Sequence, residues 1–569
     1  MLPLCLLVLT FVGWILWNRD IYLDPEIILP MDNIRENLSS FFYIATHIRY
    51  FGSFPDWIFN EFGGTWVAPY DSVSVLLLPN RFMGYWVAAL SDISPNSIFK
   101  VSFLIVGQGS FLLGCYLVAG LLFQSAWKAL ATTLLILFSG LTVGTLHQEH
   151  GFATVMFAPW LWYLGLTLTS RPLRLVLLGW LVGFSINLFY PNFIVYYLFA
   201  VLVCSLVSYR RIWLYIQEVW RSYTRPKLTV FVASVSLLMA MSPAFYAFGN
   251  YWDRIGSPIR NREGSIAAKT YDELLSMQSK LCNVDPANFL SVFGIGKIRN
   301  LESHDQRVLY APPFAAVALI AWIFLRLPMG AFQACLVFLL GGYAIGYYGF
   351  LPKVFWYFLP GIEVFRQWIH FIHLWNVHFF FLLSFTVWAL ADRAQRYRAV
   401  VGSVLAVALI LCGVSWANGT LNLYRKTLFH PGDEMVIPEQ SAWLKDWFYA
   451  FHRPYEYGAR TFKPRGLDIE SVQTMALKGP LHRKFEDQIV PVTGALISFG
   501  AKKVQFSLSG LSGDFIFAQY DDGNWKVTDE TGRALATRPG VYSLLQIEVP
   551  SSVRQIQIER KFSWWSVLV

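Results

Sequence analysis

Apolar runs punctuate the chain near 1–17, 98–123, 129–146, 151–169, 175–190, 192–209, 227–247, 313–327, 331–349, 369–390 and 398–416. These eleven runs are long enough, or nearly so, to cross about 30 Å of hydrocarbon as helices. The connections between them alternate in charge. Lys128, then Arg171 and Arg174, then Arg210, Arg211, Arg221, Arg225 and Lys227, then Arg326, then Arg393, Arg396 and Arg398 occupy alternate loops. The short connections 147–150 and 187–192 hold no Lys or Arg. The basic set is expected on the cytoplasmic side. Counting back puts the N-terminus inside, and puts 18–97, the loops 248–312 and 350–368 and the C-terminal tail outside. Residues 1–17 lack a basic leader and a small-residue cleavage site, which predicts an uncleaved anchor.

That parity requires the run 73–90 not to cross. It is broken by Pro79, Asn80 and Arg81, which suits an interfacial or re-entrant segment. Just before it, Ile34, Leu38, Phe41, Phe42, Ala45 and Ile48 share one helical face while Arg35, Glu36 and Ser39 share the other. This pattern predicts a helix over 33–51 lying on the membrane surface. Beyond residue 420 the period changes. Val504, Phe506 and Leu508 alternate with polar neighbours, as do Val553, Ile556 and Ile558, with turns at Asp522-Gly523 and Thr531-Gly532. Period two with such turns predicts an antiparallel β-sandwich over about 485–562.

Composition strengthens the membrane reading. Hydrophobic residues make up 55% and charged residues 14%, against about 25% charged in a typical soluble protein. So few charges cannot cover a water-exposed surface of this size. Global disorder, collagen and nucleic-acid binding are excluded, and the net charge of +9 follows from the basic loops. Five of the six cysteines fall in apolar runs and only Cys282 lies in a polar loop, so no disulfide is predicted.

The expected architecture is a polytopic α-helical membrane domain over 1–419, a connecting region over 420–484 and an extracytoplasmic β-domain over 485–569. Several stretches carry a resemblance. MDNIRENLSSFF and RYFGSFPDWIFNEFGG lie in the first loop, and HQEHGFATVMFAPWLW enters the fourth run. LPGIEVFRQWIHFIHLWNVHFF precedes and enters the tenth, and QYDDGNWKVTDETGRAL and VYSLLQIEVPSSVRQIQIER form the tail. With the short anchor and large first loop, the chain resembles the bacterial YfhO-type membrane proteins within the GT-C class of membrane glycosyltransferases. Where that family has Leu-Trp-Asn-Pro, this chain has Asp56-Trp57-Ile58-Phe59, and Trp368 replaces its proline after Phe-Arg-x.

The resemblance implies an enzyme in the bacterial cytoplasmic membrane, with the GT-C-like fold. It would move a sugar, with inversion, from a polyprenyl-phosphate-linked donor to an extracytoplasmic glycan, lipid or polymer acceptor. Such transfer needs a carboxylate to take the acceptor's proton and cationic donors beside the departing phosphate. Asp32 falls where the family's early Asp falls and is the candidate base; its bland role is a helix N-cap. Glu36, one turn on, is a second candidate, and Asp71 a candidate acceptor ligand. Asp20, Asp24 and Glu26 read as solvated loop charges. Arg366, with His370 and His373, is the candidate phosphate site, against a snorkelling role for the arginine. His147, Glu149 and His150 are candidate substrate ligands. Their residue types suit a divalent metal, but their spacing matches no zinc signature, so a metal is the less favoured alternative and no cofactor is assigned. Trp525 is either a sugar-stacking or a core aromatic. The competing readings are a transporter or flippase for a lipid-linked glycan, and a non-catalytic scaffold. A transporter should carry ionisable groups at mid-membrane, and the apolar runs are nearly free of Asp, Glu, Lys and Arg away from their ends.

Overall fold

A computed structural model describes residues 1–27, 29, 38–55, 57–58, 65–66, 79–144, 146, 152, 155–186, 191–251, 255–256, 270–272, 328–346, 349, 351–358, 368, 371–425, 463–464, 475, 478–486, 488–499, 503–521 and 523–561. The chain divides into two units. The first comprises Met1–Asn33, Lys100–Phe245 and Ala267–His430, and the second Ile34–Phe99, Tyr246–Ile266 and Pro431–Val569. The helices in chain order are α1 (Leu2–Trp17), α2 (Arg19–Tyr22), α3 (Leu38–Phe51), α4 (Pro79–Leu90), α5 (Pro95–Phe123), α6 (Ala126–Leu137), α7 (Ala158–Leu166), α8 (Leu173–Ile186), α9 (Pro191–Leu206), α10 (Tyr209–Ser222), α11 (Pro226–Tyr251), α12 (Pro328–Ile345), α13 (Leu351–Phe358), α14 (Phe371–Arg393) and α15 (Arg398–Arg425).

Among the described residues, three helices are long and apolar enough to cross a membrane: Pro95–Phe123, Phe371–Arg393 and Arg398–Asn422. A fourth results if α9 and α10, bent by 107° at their junction, count together. Five more apolar helices are shorter, among them α1, α6 and α8. The expectation of eleven spans is therefore corrected, because an apolar run is not always one helix. The run 129–146 shows why. Helix α6 stops at Leu137, and the Ser139 hydroxyl accepts the backbone N–H of Leu141 at 3.2 Å to start a separate turn over Gly140–Gly144.

The first unit packs by small residues, as helices without a hydrophobic drive between them must. Gly179 and Gly183, four apart on α8, face α11. A Cβ on Gly183 would sit 2.4 Å from the Leu237 carbonyl oxygen, and one on Gly179 2.6 Å from that of Ala233. Helix α14 is buried on all sides from Phe371 to Ser384, as a helix apolar all round should be. Trp368 just before it is fully buried and stacks on Tyr196 and Phe355. The two thiols of Cys204 on α9 and Cys335 on α12 meet with 3.1 Å between sulfurs.

In the second unit, the expected surface helix is a core helix. Every described position of α3 from Leu38 to Ile48 is buried. Phe41 packs on Tyr85 of α4, and Arg81 is buried with its guanidinium 4.5 Å from the Phe99 ring centroid and 5.2 Å from that of Phe41. The Arg81 guanidinium thus lies against aromatic rings from α3, α4 and α5. Helix α4 starts at Pro79, the place proline tolerates. Its 12 residues reach about 18 Å, short of a bilayer core.

The strands are β1 (Trp57–Ile58), β2 (Thr65–Trp66), β3 (Ile255–Gly256), β4 (Lys463–Pro464), β5 (Leu481–Phe485), β6 (Gln488–Pro491), β7 (Leu496–Phe499), β8 (Lys503–Ser507), β9 (Gly513–Tyr520), β10 (Trp525–Asp529), β11 (Thr537–Pro539), β12 (Leu544–Val549) and β13 (Gln555–Arg560). Two antiparallel sheets, ordered β10-β13-β8-β7 and β11-β12-β9-β5-β6, make the β-domain. Inward Val504, Phe506, Ile556 and Ile558 are buried, matching the alternation, while β9 is buried on both faces from Phe515 to Ala518. Gly523 and Gly532 adopt positive φ at the two turns. Trp525 is a core aromatic, edge-on to Phe517 and covered by Arg560 at 4.6 Å. The strand β5 begins at Leu481, and α15 runs to Arg425.

Candidate functional site

Asp32, Glu36, Asp71, His147, Glu149, His150, Arg366 and His370 lie outside the described residues. Of the residues singled out from the sequence for the site, His373 is described, and it is fully buried in the first turn of α14.

An ion pair and a buried cation of the first unit lie where α1 gives way to α2. Asn18 ends α1, and its side-chain amide donates to the Trp14 carbonyl at 3.0 Å. Arg425, the last residue of α15, donates from Nε and Nη2 to the two carboxylate oxygens of Asp20 at 2.5 and 3.0 Å, and from Nη2 to Asn18 Oδ1 at 3.0 Å. This two-point pairing holds the Asp20 carboxyl below the usual carboxylate range, the Arg425 hydrogen bond being the largest cause. The residue is a fixed ion pair, not a solvated loop charge. The adjoining Tyr22 is buried; its hydroxyl accepts the Trp14 indole N–H at 3.2 Å and donates to Gln108 Oε1 at 3.4 Å. Gln108 Nε2 donates onward to the Thr142 carbonyl at 2.9 Å.

Lys100 completes this end. It is 0% exposed, and its ammonium donates to the backbone carbonyl of Asp24 at 2.7 Å. The bond joins positions 76 apart and closes the base of the first loop. It is the sole hydrogen bond of this ammonium among the described residues. An ammonium has three donors, and burying one is costly; the Asp24 and Asp20 carboxylates stand close enough to favour its charge. Directly after Lys100 the helix widens into a π-helical stretch, Val101–Gly107, a distortion frequent at functional sites. Chemically, this end offers a buried cation with one hydrogen bond among the described residues, beside the Asp20–Arg425 ion pair and the Asp24 carboxylate.

No protein-family model matches the chain, and no curated protein matches it.

A second polar group lies inside the helices. Trp162 Nε1 on α7 donates to Tyr197 Oη on α9 at 2.5 Å, and that hydroxyl bonds His378 Nε2 on α14 at 2.9 Å. His378 Nδ1 meets Gln333 Oε1 on α12 at 2.9 Å. An amide oxygen only accepts, so Nδ1 carries the proton and Nε2 accepts from the tyrosine. The bonds then run one way, Trp162 to Tyr197 to His378 to Gln333, and tie four helices. Among the described residues, no group of three or more His, Cys, Asp or Glu is placed to hold a metal ion.

The sequence did signal part of this. Lys100 is a lone cation just inside an apolar run, Arg425 follows another, and His378 and Gln333 interrupt two more. None points to its partner, because the pairs lie tens to hundreds of residues apart.

Proposed function

We propose that the chain is a membrane glycosyltransferase of the GT-C type that takes a sugar from a polyprenyl-phosphate donor. It passes that sugar to a glycan, lipid or polymer acceptor outside the bacterial cytoplasmic membrane. The observation that carries this reading is the buried Lys100 ammonium at the base of the first loop, with one hydrogen bond among the described residues. Stabilising the charge that grows on the departing lipid phosphate is the largest service such a site performs. The apolar helices supply the lipid setting, and the resemblance supplies Asp32 as the base that takes the acceptor proton. Arg366, His370 and His373 remain the proposed further phosphate ligands, with Glu36, Asp71, His147, Glu149 and His150 around the acceptor. Atom by atom, the acceptor oxygen bonds the anomeric carbon, its proton passes to the Asp32 carboxylate, and the carbon–oxygen bond to the phosphate breaks.

Donor binding tests the cation. Lys100→Met should weaken binding of a short-chain polyprenyl-phosphate sugar roughly ten-fold or more, the loss of one charge-assisted bond. Lys100→Arg should recover part of it. Unchanged binding in a folded Lys100→Met protein removes Lys100 from the site.

The transporter reading has one observation of its own: the polar chain from Trp162 to Gln333 inside the helices. Movement of a lipid-linked sugar across sealed vesicles, abolished by His378→Leu and without sugar transfer, would favour it.

A further inference from the structure

Helix α10 has an unusual surface for its position. Tyr209, Ile212, Trp213, Ile216, Val219 and Trp220 recur at spacings of three and four, so they form one apolar stripe. None of its residues is buried; Trp213 is 60% exposed, Ile216 50% and Trp220 48%. The other face carries Arg210, Arg211 and Arg221, and Arg225 and Lys227 follow directly. Against these five cations the segment 209–227 holds one carboxylate, Glu218. The helix turns 107° from α9, so if α9 runs along the membrane normal, α10 lies nearly in the plane. Its attitude is fixed by three bonds. Tyr215 Oη donates to the Gly165 carbonyl at 2.7 Å and accepts from Leu168 N at 3.1 Å, and Tyr223 Oη donates to the Leu168 carbonyl at 2.9 Å.

We propose that α10 is an anionic-lipid-binding helix. Its Trp213–Ile216–Trp220 stripe sinks into one leaflet, and Arg210, Arg211 and Arg221 select phosphatidylglycerol-like headgroups over zwitterionic ones. Three features commit the surface to this occupant. Tryptophans at the apolar–polar boundary fit the headgroup level. The five-to-one charge excess is complementary to an anionic leaflet. A bonded anchor to the α7–α8 connection holds the stripe open instead of folding it onto the protein. The inference is independent of the proposed transfer chemistry, since α10 holds none of the proposed site residues.

The full chain is reconstituted in vesicles of equimolar phosphatidylglycerol and phosphatidylcholine, with Trp213 replaced by the photoreactive p-benzoylphenylalanine. A cation near an anionic surface is worth roughly a five-fold preference. After illumination, adducts to phosphatidylglycerol should therefore exceed those to phosphatidylcholine severalfold. The same side chain at Gln217 should give few lipid adducts. With Arg210→Gln, Arg211→Gln and Arg221→Gln added, the adduct ratio at position 213 should fall to near the bulk ratio. Three results would overturn the proposal: adducts at the bulk ratio in the unaltered background, adducts to protein instead of lipid, or a ratio that survives removal of the three arginines.

Discussion

Single side chains set the sharpest expectations. His482 on β5 is 1% exposed, and burial pushes its imidazole down to about 4, the Met475 backbone opposing and the Lys478 charge assisting. The unfolded chain takes up this proton near pH 6.5 while the folded domain does not. Stability is therefore full above about 6.5 and is lost as pH falls toward 4, by roughly 3 kcal/mol over that window, with no further loss from this group below it. Hydrogen-exchange protection of residues 481–485 in the full chain, corrected for intrinsic rates, should drop over that window, and His482→Gln should flatten the drop. In the first unit, Tyr197→Phe removes the hydroxyl between Trp162 and His378 and takes a partner from the buried imidazole and the half-buried indole N–H. The expected cost is about 1–3 kcal/mol of stability, read as a lower unfolding midpoint in detergent. An unchanged midpoint would mean that these bonds do not hold the helices.

Between elements, close approach is the testable quantity. Gly183→Ala places a methyl against a backbone carbonyl that cannot move aside. It should destabilise the α8–α11 pair by about 1–3 kcal/mol, while Gly165→Ala, with open space around it, should not. Cys204 and Cys335 give a covalent check. Copper-phenanthroline should oxidise the two thiols to a disulfide joining α9 to α12, and Cys204→Ser should abolish the crosslink.

How far the elements were legible varies with what each one needs. Part of the β-domain was readable, because period two, buried on one side, leaves a direct trace in residues such as Val504, Phe506, Ile556 and Ile558, whereas β9, buried on both faces from Phe515 to Ala518, leaves none. Helix α3 was readable as a helix but not as a core element. Its coverage depends on Arg81 and Tyr85 of α4, and no pattern within 33–51 encodes a partner outside it. The site was least legible. Asp20 looked like a loop charge because its cation, Arg425, follows 405 positions later.

At the scale of the whole molecule, a chain with helices apolar enough to cross a membrane is joined to a β-sandwich that is built like a water-soluble domain. The excess of Arg and Lys over 209–227 predicts that this segment faces the cytoplasm and that the β-domain does not. Impermeant labelling of a cysteine introduced at Asp521, but not of one at Arg210, in intact cells would agree with that orientation, and the reverse would invert it. The central claim, sugar transfer from a lipid phosphate, is tested most directly by turnover. The purified chain in liposomes is given a polyprenyl-phosphate sugar and an extracytoplasmic glycan acceptor, and transferred sugar is counted. The account predicts transfer that falls by a factor on the order of 10²–10⁴ in Asp32→Asn, as expected for loss of a general base, with the fold intact because Asn caps a helix as well as Asp. Transfer that persists in Asp32→Asn and in every other acidic substitution of the first loop would contradict it.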